Sequence, residues 1–338
     1  MKRIASLDIL KYIACFFVIN IHMDIPTFLL NIVQPLLTTA VPVFFMITGF
    51  FYSETMGSAP KKRQIRKIAK LALVANLIHI GWRCFKHLLN GESILDFVAE
   101  VMNPEALLNL VVFNQPVWRT SIWYINALLI VLVLIYIVRK WVDPQRLNFL
   151  IPVLLVLNLV LGTYSFILPG NEHVLLCYSR NFLFCGIPYF LLGNYVSGKK
   201  QSICKLFGKW QCVVLFWIVG CFELWILNYF GLLQHNDHLA SSFFLALSLF
   251  CVFEKIKSFD GRFSEKISIW GRKYSFAIYV AHSIIIEIFY KIVYKASGVP
   301  FVIDIFSYIG PILVLIASTF FAHSLVYCKD KLVLSKNA

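Results

Sequence analysis

The sequence predicts an all-α, polytopic membrane protein with ten transmembrane helices and both termini in the cytoplasm. Three observations predict it. First, the 338 residues are 59% hydrophobic and only 14% charged, against about 25% charged in soluble domains. Second, ten apolar runs approach the ~20 residues that cross the hydrocarbon as a helix. Third, the lysines and arginines gather in alternate loops, which fixes orientation through the positive-inside bias. The sequence shows no internal repeat, low-complexity tract or linker, so one integral membrane domain over 1–338 is expected.

In order, the runs are 5–25, 33–53, 68–89, 121–139, 147–168, 180–197, 211–231, 239–254, 270–291 and 304–327. The opening MKR imitates a signal-peptide n-region. The apolar run after it is long and lacks a small-residue cleavage pattern, which predicts an uncleaved first span. Pro42, Gly49, Pro188, Gly193 and Pro311 fall inside other runs; a helical bundle tolerates them because neighbouring helices re-satisfy the backbone. Between the third and fourth runs, "GESILDFVAEVMNPEALLNLVVFNQPVWR" is broken by Glu92, Asp96, Glu100, Glu105 and Pro104. It reads as interfacial or re-entrant helices, or as a plain loop.

Of the 31 lysines and arginines, Lys11 lies within the first run. Arg83, Lys86, Arg119, Arg180, Lys291 and Lys295 fall toward one side, and all the others lie on the side of the termini. This asymmetry makes that side cytoplasmic and accounts for the net charge of +14 without a nucleic-acid partner. The nine cysteines sit mostly in apolar runs, with no CxxC pair and no zinc-spaced Cys/His cluster. They read as small buried hydrophobes, and no metal is expected.

The first run, "SLDILKYIACFFVINIHM", carries Asp8, Lys11 and His22. Titratable groups at membrane depth cost insertion energy and face the bundle interior or a wet cavity. Asp8 and Lys11 are spaced i,i+3, on one side of the helix. At about 100° and 1.5 Å per residue, Lys11 and His22 also share a face, about 16 Å apart along the axis. A polar path across the membrane is therefore expected. Taken singly, Asp8–Lys11 is equally a structural ion pair and His22 a core histidine.

Several stretches together resemble acyltransferase family 3, an integral membrane O-acyltransferase family. Lys11, ten residues and His22 match its opening motif, with lysine where arginine is commoner. "VPVFFMITGFFY" is similar to its second-span signature, Thr48 and Gly49 taking the Ser-Gly places. "KKRQIRK" holds an Arg-x-x-Arg as Arg63 and Arg66, and "IWYINALL" is similar to its Trp-aromatic stretch through Trp123 and Tyr124. "RNFLFCGIPYFLLG" and "YSFAIYVAH", ending at His282, resemble two later stretches. The ordered set covers nearly the whole chain.

The resemblance implies transfer of an acyl group, usually acetyl, from a cytoplasmic acyl-CoA to an envelope glycan or lipid-linked acceptor. It places the protein in the inner (cytoplasmic) membrane, with acetyl-CoA as co-substrate and no permanently bound cofactor. On residue chemistry, Arg63 and Arg66 with Lys62 suit phosphate oxygens, and equally suit a topology-setting cluster. His22 fits a general base or a transient acyl carrier. Lys11, steadied by Asp8, fits the donor or its thioester carbonyl. His282 and Tyr279 fit either packing or the site. Trp123 and Tyr124 fit an aromatic belt or a sugar platform, and Arg180 an interface anchor or an anionic acceptor. The alternative is a transporter of a small, serine-like polar solute on the same fold, with Lys11 and His22 as its relay.

Overall fold

The computed structural model describes residues 3–54, 57–169, 176–233, 238–296 and 300–336. Among them there is no β-strand. The helices are α1 (Ala5–Ile21), α2 (Thr27–Leu37), α3 (Ala40–Glu54), α4 (Ser58–Asn90), α5 (Ile94–Met102), α6 (Pro104–Val112), α7 (Trp123–Val138) and α8 (Leu150–Val160). They continue with α9 (Ile187–Gly198), α10 (Lys200–Phe207), α11 (Trp210–Tyr229), α12 (Ala240–Ile256), α13 (Arg262–Lys273), α14 (Ser275–Ala296) and α15 (Pro300–Lys336).

Among the described residues, six stretches are long and apolar enough to cross a membrane: Thr27–Ser53, Ser58–Asn90, Thr120–Val138, Trp210–Tyr229, Ser275–Lys295 and Val302–Cys328. They correspond to the second, third, fourth, seventh, ninth and tenth runs. The other four expected spans form the shorter α1, α8, α9 and α12, of 17, 11, 12 and 17 residues. The reasons are local. The residues after α1 lead into Pro26, which disfavours helix for the residue before it. The fifth run opens as a 3₁₀ segment, Pro144–Phe149, and α8 gives way to turns after Val160. The sixth opens as one π turn, Phe182–Gly186, just ahead of Pro188. The broken segment after the third run is helical, as α5 and α6. Ser93 and Asn103 cap them by accepting hydrogen bonds from the Leu95 and Glu105 amides.

The chain forms two compact units, residues 2–43, 204–221 and 244–338 in one, 44–203 and 222–243 in the other. In the first, α1 packs against α13, and also against α2, α14 and α15. Leu7, Leu10, Ala14, Cys15, Val18 and Ile19 fill that core. The α1–α13 approach is close because Gly271 has no side chain: a Cβ there would overlap the Asp8 carbonyl. The start of α1 is tied down by Ser6, whose amide donates to the Lys257 carbonyl at 3.0 Å and whose hydroxyl donates to the Phe253 carbonyl.

In the second unit, α7 packs on α4 and α8 on α9. The backbones of α3 and α9 meet through two glycines: a Cβ at Gly49 would overlap the Phe190 carbonyl, and one at Gly193 the Met46 carbonyl. Asn114, at φ 53°, stitches the loop before α7 to the π turn. Its amide nitrogen donates to the Trp123 carbonyl at 3.2 Å and its oxygen accepts from the Phe182 amide at 2.8 Å. Glu223, within the seventh run, accepts the Tyr164 hydroxyl proton and the Ala240 and Ser241 amides at 2.6 and 3.0 Å. Its carboxylate thus satisfies orphan donors at the start of α12, as helix N-termini favour.

Candidate active site

Helix α1 carries the titratable stripe. Asp8 is 5% exposed and accepts two cations, Arg3 Nε at 3.0 Å and Lys11 Nζ at 3.0 Å. The i,i+3 pair expected from spacing is present. Arg3 closes the network by donating from Nη2 to the Ser268 hydroxyl on α13 at 2.6 Å. Two cations on one carboxylate leave the cluster with a net positive charge. The buried carboxylate is held by these cations, which themselves keep part of their hydration.

His22 does not sit along the helix body. It is the C-cap, exposed, and its amide donates to the Ile19 carbonyl at 3.1 Å. Its ring faces that of His282 on α14, with centroids 5.3 Å apart and planes tilted by 34°. His282 is fully buried. Its Nδ1 lies 2.5 Å from the Tyr279 carbonyl oxygen. A carbonyl only accepts, so Nδ1 carries the proton, and neutral His282 has its lone pair on Nε2. The Tyr279 ring stands 5.9 Å from that of His282. The structure therefore brings His22, His282 and Tyr279 together at one end of α1, and Asp8, Lys11 and Arg3 toward the other.

Two cavities lie beside α1 in the same unit. One, of about 500 Å³, is lined by Arg3, Ile9, Phe259, Arg262 and Ser268 among others. The other, of about 380 Å³, is lined by Tyr12, Trp270, Tyr274, Thr319 and His323 among others. Its walls are pinned by Tyr12–Thr319 and Tyr274–His323 hydrogen bonds of 3.0 and 2.8 Å.

The remaining candidates belong to the other unit. Lys62, Arg63 and Arg66 are exposed on the first turns of α4. Trp123 and Tyr124 are buried in the first turn of α7, against Phe45 and Phe44. The Arg180 carbonyl accepts from Gln115 Nε2 at 3.1 Å, which anchors the start of the π turn. Sequence reasoning missed Arg3 and Ser268. A cation three residues into the chain reads as a topology anchor, and a single serine on an amphipathic helix carries no signal.

No curated protein and no solved structure matches the chain. A family model described as an acyltransferase domain matches residues 4–328, a span that takes in the charged end of α1, its terminal histidine and the partner histidine of α14. The chain belongs to acyltransferase family 3, and is a multi-pass membrane acyltransferase.

Proposed function

We propose that the protein transfers an acetyl group from cytoplasmic acetyl-CoA to a hydroxyl of an envelope glycan or lipid-linked acceptor in the inner membrane. The observation that carries this reading is the His22–His282 pair, two imidazoles 5.3 Å apart in an acyltransferase. O-acyl transfer needs a base for the hydroxyl proton and a donor or cation for the oxyanion. Neutral His22 takes the acceptor's proton, and the oxygen attacks the thioester carbonyl. The tetrahedral intermediate collapses, the C–S bond breaks, and the imidazolium returns its proton to the CoA thiolate. The products are an ester and free CoA. His282, its Nδ1 proton held by the Tyr279 carbonyl, orients the His22 ring beside it.

Lys11, held by Asp8, supplies positive charge for the donor. The flexible pantetheine arm is the element long enough to link a cation at one end of α1 to the base at the other. Arg63 and Arg66 with Lys62 receive donor phosphates at the cytoplasmic surface.

Membranes containing the chain, incubated with radiolabelled acetyl-CoA, are expected to pass label to an envelope fraction. His22→Ala is expected to lower that transfer at least a hundredfold with membrane insertion unchanged. Equal labelling by His22→Ala would remove the base. Serine uptake by vesicles without any labelled product would favour the transporter instead.

A further inference from the structure

The residue before Lys62 turns away from the exposed trio. Lys61 is half-buried, and its Nζ stands 4.2 Å from the centroid of the Tyr52 ring on α3. Arg139, the C-cap of α7, reaches the same tyrosine: its guanidinium lies beside the Tyr52 hydroxyl and 5.6 Å from the centroid of the Tyr136 ring. Lys61 and Arg139 are close enough to repel each other. Lys200, at the start of α10, lies 5.6 Å from the centroid of the Phe50 ring, two residues before Tyr52. The acid that also acts on Lys61 is Asp143. Its Oδ1 is already engaged by the Gln145 amide at 3.0 Å.

A cation that merely anchors a helix at the interface sends its head group outward into water. Here the opposite is seen. Arg139 Nη1 and the Tyr52 hydroxyl are buried, and the guanidinium turns toward that hydroxyl rather than toward water. Two like charges converging on one tyrosine are unfavourable in the empty protein and become favourable around an anion. A guanidinium fork, an ammonium point charge and a phenol hydroxyl suit the oxygens of phosphate.

We propose that Tyr52, Lys61 and Arg139 form a phosphate-binding clamp, and that it holds the diphosphate of the acyl-CoA donor. The assignment rests on the acyl-CoA reading given above. It adds residues distinct from the exposed Lys62, Arg63 and Arg66, which then serve as an outer collecting surface. A phospholipid headgroup shares the same phosphate chemistry, so the test separates the two sources.

The full chain, purified in detergent, is titrated calorimetrically with CoA. Phospholipid that remains bound through purification is measured on the same samples by native mass spectrometry. Arg139→Gln and Lys61→Gln are each expected to weaken CoA binding about ten- to hundredfold. Tyr52→Phe, which keeps the ring under Lys61, is expected to weaken it less, and Arg139→Lys to recover part of the loss. Tyr52→Phe and Arg139→Lys carry the test should Arg139→Gln fail to fold. CoA affinity within twofold of wild type in the folded variants overturns the clamp; if Arg63→Ala/Arg66→Ala still loses CoA, the donor reading stands. Loss of bound phospholipid with CoA affinity intact overturns the donor assignment in favour of a lipid site. Absence of CoA binding by the wild type overturns both this inference and the acyl-CoA reading.

Discussion

Asp8 is the residue on which the charged end of α1 turns. Its carboxylate is 8% exposed, whereas its two partners are 45% and 24% exposed. Removing the acid leaves two cations on one helix end with nothing between them. Asp8→Ala is therefore expected to cost about 2 kcal/mol, less than for a fully buried pair because Arg3 and Lys11 retain some water. A fall in the thermal unfolding midpoint of the purified protein checks this, and an unchanged midpoint contradicts it. The pair with Lys11 was legible from i,i+3 spacing alone. The pairing of His22 with His282 was not, because it depends on where α1 stops and how α14 lies against it, neither of which a one-dimensional pattern encodes. The inward turn of Lys61 was hidden for a related reason. In sequence it is one of a run of cations, and only the position of Tyr52 separates it from its neighbours.

At the scale of elements, helix ends and close approaches decide the architecture more than hydropathy does. Apolar runs located the helices, and in the fifth and sixth runs a 3₁₀ segment and a π turn shorten the α-helix that follows. Hydropathy averages over such breaks, so it marks the runs without marking where a helix starts or stops. The α3–α9 contact is set by Gly49 and Gly193, where backbone meets backbone. Gly193→Ala forces a methyl into the Met46 carbonyl, which no rotamer relieves. The expected cost is about 2–3 kcal/mol, read as a lower unfolding midpoint, and a neutral outcome would mean the helices move apart freely. Glu223 offers a second test of an element junction. Its carboxylate joins Tyr164 to the first two amides of α12. Glu223→Ala strands those donors, at an expected cost of about 1–3 kcal/mol, whereas Glu223→Gln keeps an acceptor and should lose less. Equal losses in the two variants would show that the hydrogen bonds are not what the acid contributes.

For the whole molecule, orientation follows from charge rather than from packing, and a native cysteine near the C-terminus reports it. The cations cluster on the side of the termini, and the bias they impose predicts that this side faces the cytoplasm. Cys328 is exposed on the last turns of α15. Among the other cysteines, Cys15, Cys177, Cys185, Cys204 and Cys251 are buried. Cys177 lies in the loop before the π turn, on the opposite side in this orientation, and burial pushes its thiol above the ordinary value. Thiolate is the reactive form, so at neutral pH Cys177 labels more slowly than a free thiol. A membrane-impermeant maleimide added to intact spheroplasts is therefore expected to leave Cys328 unmodified. The same reagent added after lysis should label it, and Cys328→Ser should abolish most of that increment. Labelling of Cys328 in intact cells would place the C-terminus outside. The basic start of α4, and with it the clamp at Tyr52, Lys61 and Arg139, would then face away from any cytoplasmic donor, and the acyl-CoA reading would fall with the orientation.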